Sequence, residues 1–263
     1  MMAVAVAMTE EEARLPYAKY FDLPLAPIPE EKLALFNGPP AAPEMIMPVE
    51  ERNLFLDETD PYLQDGYGVS AEGTGFLANS TFMPGVTAQM LDWWFGWHCV
   101  ENDLRYKIWD KEDHYWARAD KPEYVLDPNV PWREKTWGVS HKIKESAGLG
   151  VEEIEMHFMR PRDLGFDESK IGGPGCTSMV CAHAAAVVAH KWIETPEGCW
   201  LKSRFWMGYG LDENGQVVRK FPAGARMPDF VPKMIYGHNI KEFTNLAAIL
   251  PQLYSEEWNG QPG

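Results

Sequence analysis

The clearest pattern in the chain runs from Val151 to Arg162, where charged or histidine positions alternate with Ile154, Met156 and Phe158. A period of two belongs to a strand with one face buried, so this segment is expected to be a half-buried strand. A nearly unbroken apolar run from Ser178 to Glu194 follows, and after it Thr195-Pro196-Glu197-Gly198 puts proline at the second and glycine at the fourth place of a type I turn. With Cys199 to Tyr209 beyond the turn, the two runs read as a β-hairpin of long strands. By composition alone the alanine-rich stretch 182–189 could equally be helical.

A helical period appears twice. Met90, Trp93, Trp94 and Trp97 fall on one face, which predicts an amphipathic helix with three tryptophans on its buried side. From His238 to Leu250, one face carries Ile240, Phe243, Ala247 and Leu250 and another carries His238, Glu242, Asn245 and Ile249, with Pro251 expected to stop the helix. Long antiparallel strands followed by a terminal helix indicate an α+β fold.

Residues 1–80 have a different texture. Thr9-Glu10-Glu11-Glu12 reads as a capping box opening a short helix towards Tyr20, and prolines then recur at 16, 24, 27, 29, 39, 40, 43, 48 and 61. Such a segment forms neither a long helix nor a central strand. It is expected to be an extended arm that docks on the body or across a homodimer, leaving residues 81–263 as the main domain. No internal repeat and no glycine-rich phosphate loop is present.

Composition narrows the function classes. Hydrophobic residues make up 45% of the 263 positions and 11 are tryptophan, enough for a sizeable core and a pocket with flat apolar walls. A formal net charge of -15, with no basic run, sets nucleic acid and anionic membranes aside as partners. Cys99, Cys176, Cys181 and Cys199 contain no C-x-x-C pair, which suits a reduced, cytoplasmic setting. The apolar opening Met1–Met8 has no basic residues and runs into Glu10, so no signal peptide is expected; nor is a membrane-spanning helix.

Candidate chemistry begins with His238-Asn239-Ile240-Lys241-Glu242. Four residues apart on a helix, the imidazole and carboxylate lie about 40° apart around the axis and can reach one point, as two metal ligands would. An exposed polar pair has the same spacing. His114, among aromatics, and Glu145, in Ser140-His141-Lys142-Ile143-Lys144-Glu145, are further candidates, while His98, His141, His157, His183 and His190 compete with them. Spacing leaves a His/Glu metal site open without choosing its members.

The strings W-W-F-G-W-H (93–98), L-R-Y-K-I-W-D-K-E-D-H (104–114), S-H-K-I-K-E (140–145), H-K-W-I-E-T-P-E-G-C-W-L-K-S-R-F-W-M-G (190–208) and H-N-I-K-E (238–242) occur in this order. Together they resemble the diacetylphloroglucinol hydrolase and phloretin hydrolase family over roughly residues 80–250. The resemblance implies a helix-grip domain, START-like and birch-pollen-allergen-like, in which a curved antiparallel sheet wraps a C-terminal helix. It further implies a zinc (Zn2+) site of His114, Glu145, His238 and Glu242, with Tyr106 and His190 as catalytic-pocket residues and Tyr106 also touching the substrate. Cleavage of an aryl ketone, an acylphloroglucinol such as phloretin or diacetylphloroglucinol, to a carboxylic acid and a phenol is the implied reaction. The sequence departs from the family at two substrate positions, Ala117 in place of an asparagine and Phe205 in place of a tyrosine, with Tyr209 the nearest phenol. Competing readings are a non-catalytic hydrophobic-ligand carrier on the same fold, and a metal-dependent polyketide cyclase or isomerase. His98, His141, His157 and His183 are expected to be structural.

Overall fold

The computed structural model describes residues 5–258 and 260; Met1–Val4, part of the apolar opening read above, lie outside them. Eight strands form one antiparallel sheet: β1 (Gly66–Val69), β2 (Gly75–Pro84), β3 (His114–Ala119), β4 (Ser140–Ser146), β5 (Val151–Met159), β6 (Ser178–His183), β7 (Ala186–Thr195) and β8 (Gly198–Met207). Their order across the sheet is β1-β2-β8-β7-β6-β5-β4-β3. A two-stranded ribbon, β9 (Tyr209–Leu211) with β10 (Val217–Arg219), follows. Helices α1 (Lys19–Asp22) and α2 (Glu30–Asn37) belong to the arm, α3 (Ala88–Trp97), α4 (Leu104–Lys107) and α5 (Pro122–Leu126) lie between β2 and β4, and α6 (Phe230–Glu257) ends the chain. The curved sheet closing on α6, which packs along β2 and β1, is the helix-grip arrangement.

Two apolar clusters explain why some strands alternate and others do not. Inside the sheet, Trp93, Trp94 and Trp97 of α3 meet Trp192 and Leu201 of the strands and Phe243, Leu246 and Leu250 of α6. Outside it, Met47, Phe55 and Leu56 of the arm pack with Phe76, Val187 and Trp206, and the Trp206 indole donates to the Met47 carbonyl at 2.9 Å. Strands β6 to β8 are therefore covered on both faces, which is why Ser178–Glu194 reads as an apolar run. On β5 only one face is covered, and there the predicted alternation holds.

Local expectations fared unevenly. The β7–β8 hairpin forms with Thr195 opposite Gly198, but the run before it is two strands, β6 and β7, and the alanine-rich 182–189 is not a helix. Thr87 caps α3 by accepting from Met90 N–H at 3.3 Å. The capping box at Thr9 and Glu12 is present in both directions, at 2.7 and 3.1 Å, yet it opens a single turn of 3-10 helix, Glu12–Arg14. Pro251 does not end α6, which starts eight residues before His238 and runs on to Glu257. Proline inside a helix costs about 3 kcal/mol; burial of Leu250, Leu253 and Tyr254 around it supplies the compensating packing.

The arm is tied to the body along its length. Lys107 Nζ lies 2.8 Å from both Glu12 carboxylate oxygens, Ala26 N–H donates to Asn245 Oδ1 at 3.1 Å, and the Phe36 ring sits where a Cβ on Gly237 of α6 would lie 2.7 Å away. Position 80, at which the arm was expected to end, falls within β2.

Candidate active site

A cavity of about 300 Å³ lies between the inner face of the sheet and α6. Its walls are mainly apolar, with Phe95, Trp109, Ile143, Phe158, Val188 and Phe205 among them. At one end four polar side chains converge. His114 opens β3, Glu145 faces it across the β3–β4 pairing, and one turn of α6 contributes His238 and Glu242.

The donor atoms surround a common point. His114 Nε2 lies 3.3 Å from His238 Nε2, 3.6 Å from Glu242 Oε2 and 3.9 Å from Glu145 Oε2. His238 Nε2 lies 3.8 Å from Glu242 Oε2 and 3.9 Å from Glu145 Oε2. Donors held about 2.0–2.1 Å from a tetrahedral ion would be about 3.3–3.4 Å apart, so each of these five separations is within about 0.6 Å of ligand spacing. The opposite edges of both imidazoles are occupied. His114 Nδ1 is 3.3 Å from the Tyr106 carbonyl, and His238 Nδ1 is 3.3 Å from Asp113 Oδ2 and 3.9 Å from Asp110 Oδ2. Imidazoles anchored at Nδ1 and convergent at Nε2 are the usual form of histidine metal ligands.

Asp110, His114 and His238 also form a buried group able to hold a metal ion. Asp110 faces the Nδ1 side of His238, however, and is 3.1 Å from Lys241 Nζ. The carboxylate within hydrogen-bonding reach of that Nδ1 is Asp113, at 3.3 Å. Glu145 and Glu242 lie on the Nε2 side of both rings.

Charge in this pocket is strongly perturbed. Burial lowers the His238 pKa, but Glu242, Asp113, Glu145 and Asp110 outweigh it and push it up to about 10. Glu242 is pushed up to about 8, by burial first and then by Glu145 and Asp110, against the opposing pull of His238. Burial holds His114 well below the usual histidine range. A cluster of carboxylates and imidazoles that protonates itself to limit repulsion has the chemistry of a site built around a cation.

The predicted pocket residues divide into two groups. Tyr106 stacks on the His114 ring at 4.0 Å, its hydroxyl donates to Glu145 Oε2, and burial with the Glu145 charge raises its pKa well above 10. His190 lines the cavity, bonds Ser203 Oγ through Nδ1 at 2.8 Å, and is pushed down to about 3 by burial. Both are neutral groups. Phe205 also lines the cavity, edge-on to His190 with ring centres 5.5 Å apart. Ala117 is not among the residues that line it: paired with Ile143 it shares the inner face of the sheet, but it is buried in the apolar cluster there and borders a smaller recess with Cys99, Val100 and Asn102. Tyr209 belongs to the cluster outside the sheet.

Two histidines read as structural stand in the cavity wall. His98 caps the end of α3 with Nδ1 2.9 Å from the Trp94 carbonyl, and burial pushes it down to about 4. His141 is 1% exposed, and among the described residues neither of its ring nitrogens has a hydrogen-bond partner. The signal for it was present: on β4, His141, Ile143 and Glu145 are spaced by two and so share a face. His157 and His183 lie outside the cavity, paired across β5 and β6.

The cysteines Cys99, Cys176, Cys181 and Cys199 are buried and unpaired, and among the described residues no helix is long and apolar enough to cross a membrane.

Comparison with known proteins bears on this geometry. A family model described as the DAPG hydrolase PhiG domain matches residues 46–255. Phloretin hydrolase of Eubacterium ramulus is 54% identical over 259 residues, covering 97% of this chain and 94% of that protein. The 2,4-diacetylphloroglucinol hydrolase of Pseudomonas protegens is 27% identical over 263 residues, covering 92% of this chain and 84% of its own, and a protein of the same name from a Pseudomonas species is 26% identical.

Proposed function

The chain belongs to the DAPG hydrolase family and is a hydrolase acting on carbon-carbon bonds in ketones, and from that premise we propose a zinc-dependent enzyme that cleaves acylphloroglucinols, phloretin first among them. The observation that supports the reading best is the convergence of His114, Glu145, His238 and Glu242 at one end of a cavity with otherwise apolar walls. Zinc suits two imidazoles and two carboxylates, and when bound it supplies Lewis acidity towards a carbonyl oxygen and lowers the pKa of water.

The overall change is the addition of water across the bond between the acyl carbon and the ring. Oxygen joins the acyl carbon, the bond to the ring breaks with its electron pair on the ring carbon, and that carbon takes a proton. Ring hydroxyls ortho and para to the acyl group stabilise the departing carbanion, so the phenols are part of the chemistry. The proton that water loses as its oxygen joins the acyl carbon is the one the ring carbon takes, and His190 and Tyr106, both neutral, are the groups that relay it. His141 offers its unpartnered nitrogens to a substrate hydroxyl, and the apolar walls seat the acyl arm while excluding water. The four unpaired cysteines support a reducing, cytoplasmic setting, and the bonds of the proline-rich arm to α4 and α6 support its docking on the body of its own chain.

Metal analysis of the purified protein tests the reading. One zinc per chain is expected, lost in His114→Ala and in Glu242→Ala, with release of the carboxylic acid from phloretin lost alongside. Wild-type protein that turns over phloretin without zinc, iron or manganese would refute the metal assignment.

A further inference from the structure

From the proline-rich arm to the candidate metal centre runs an unbroken line of buried polar side chains. Lys32 of α2 lies in the body, 6% exposed, with Nζ 2.6 Å from Asn79 Oδ1, 2.8 Å from Asp65 Oδ1 and 2.9 Å from the Ser80 carbonyl. Asn79 of β2, fully buried, donates from Nδ2 to Asn239 Oδ1 at 2.9 Å. Asn239 of α6, 1% exposed, donates from Nδ2 to Glu242 Oε1 at 3.0 Å. The other Glu242 oxygen, Oε2, is the one that faces His114 and His238.

The direction of this line follows from chemistry. An ammonium group can only donate, so the Asn79 oxygen must face Lys32 and its NH2 must point onward. Asn239 is then oriented the same way, and its NH2 meets Glu242 Oε1, which in the metal-bound carboxylate can only accept. A cation at one end and a carboxylate at the other align both amide dipoles, and such chains are mutually strengthening in a low-dielectric interior. Flipping either amide would place like atoms in contact at two joints.

We infer that Lys32, Asn79 and Asn239 form a positioning relay through which the N-terminal arm fixes the Glu242 carboxylate and so tunes the affinity and geometry of the metal centre. The inference rests on Glu242 being a metal ligand, as proposed above. It makes the arm part of the active site although, among the described residues, none of the arm lines the cavity. An outer partner of a metal ligand commonly sets 10- to 100-fold in metal affinity.

The test is zinc affinity measured on the full chain by competition with a fluorescent chelator, together with the visible spectrum of the cobalt(II)-substituted protein and a thermal melt of each variant. Asn239→Ala should weaken zinc about 10- to 100-fold and Lys32→Met about 10-fold, with both altering the cobalt spectrum. Glu12→Gln is the control: it loosens the arm at Lys107 without touching the relay, so it should lower the melting temperature and leave zinc affinity and the cobalt spectrum unchanged. Asn239→Ala lies on α6 rather than on the arm and examines the last joint even where Lys32→Met fails to fold. Unchanged zinc affinity in Asn239→Ala would overturn the relay, and so would an equal loss in Glu12→Gln, which would reveal general ordering of the arm. Wild-type protein that binds no zinc would instead overturn the metal reading on which the relay stands.

Discussion

Replacing His141 with leucine should make the free protein more stable and the enzyme worse. The imidazole is 1% exposed, both its nitrogens lack partners, and burial with the nearby His98 holds its pKa well below the usual range, so it is neutral. Leaving a buried polar group unsatisfied costs roughly 1–3 kcal/mol. Leucine has a similar volume and no polar atoms, but it gives up the contact with the Phe158 ring, whose centre lies 4.4 Å away. Aromatic pairs contribute about 0.5–1.5 kcal/mol beyond area burial, which leaves a net gain of about 1 kcal/mol. In a chain of this size that raises the melting temperature by roughly 2–4 °C. The same change removes a hydrogen bond to the substrate, about 0.5–1.5 kcal/mol, so kcat/KM for phloretin should fall about 2- to 10-fold with zinc content unchanged. Thermal denaturation without substrate and steady-state kinetics on one preparation read both effects. A destabilised His141→Leu with wild-type kcat/KM would refute the reasoning, since it would make the ring a packing element with no role in binding.

Two other expectations concern pH and substrate choice. Burial pushes Asp92 up to about 7 against the lowering effect of its bond from Ser178, so the folded chain keeps a proton that the unfolded chain releases near 3.8. Its contribution to stability is complete below about pH 4 and is lost at about 1.4 kcal/mol per pH unit as pH rises to 7; chemical denaturation at pH 5 and 8 should show a smaller difference in Asp92→Asn, and an identical difference would refute the shift. Phe205→Tyr restores a phenol to the cavity wall beside His190 and should shift the ratio of kcat/KM for diacetylphloroglucinol over phloretin upward by about 2- to 10-fold, the worth of one neutral hydrogen bond; a ratio unmoved would remove Phe205 from the determinants of specificity.

What could be read from the chain beforehand was what local periodicity encodes. His238 and Glu242 share a helix face by their spacing, and the alternation in β5 marks its buried side without any tertiary information. His141 is legible in the same way, two residues from Ile143 and four from Glu145, but a histidine on a buried face usually belongs to a core, and nothing in the local pattern separates the two roles. Local rules failed where tertiary packing outweighed them: Pro251 is carried through α6 by the burial of Leu250, Leu253 and Tyr254, and the alanine-rich 182–189 is drawn into strands because both faces of that part of the sheet are covered. The joints between distant segments had no sequence signature at all. Asn79 and Asn239 are 160 positions apart, and Lys32 sits in a proline-rich stretch whose composition suggests only an extended tether. A buried lysine amid two amides and a carboxylate is costly to desolvate, and the arm has to seat it without an extensive core of its own. That burden makes sense if the charge orients groups farther along the line. Glu242 could be proposed as a ligand from its spacing on a helix, whereas the groups that hold its carboxylate become visible only once β2, α2 and α6 are brought together.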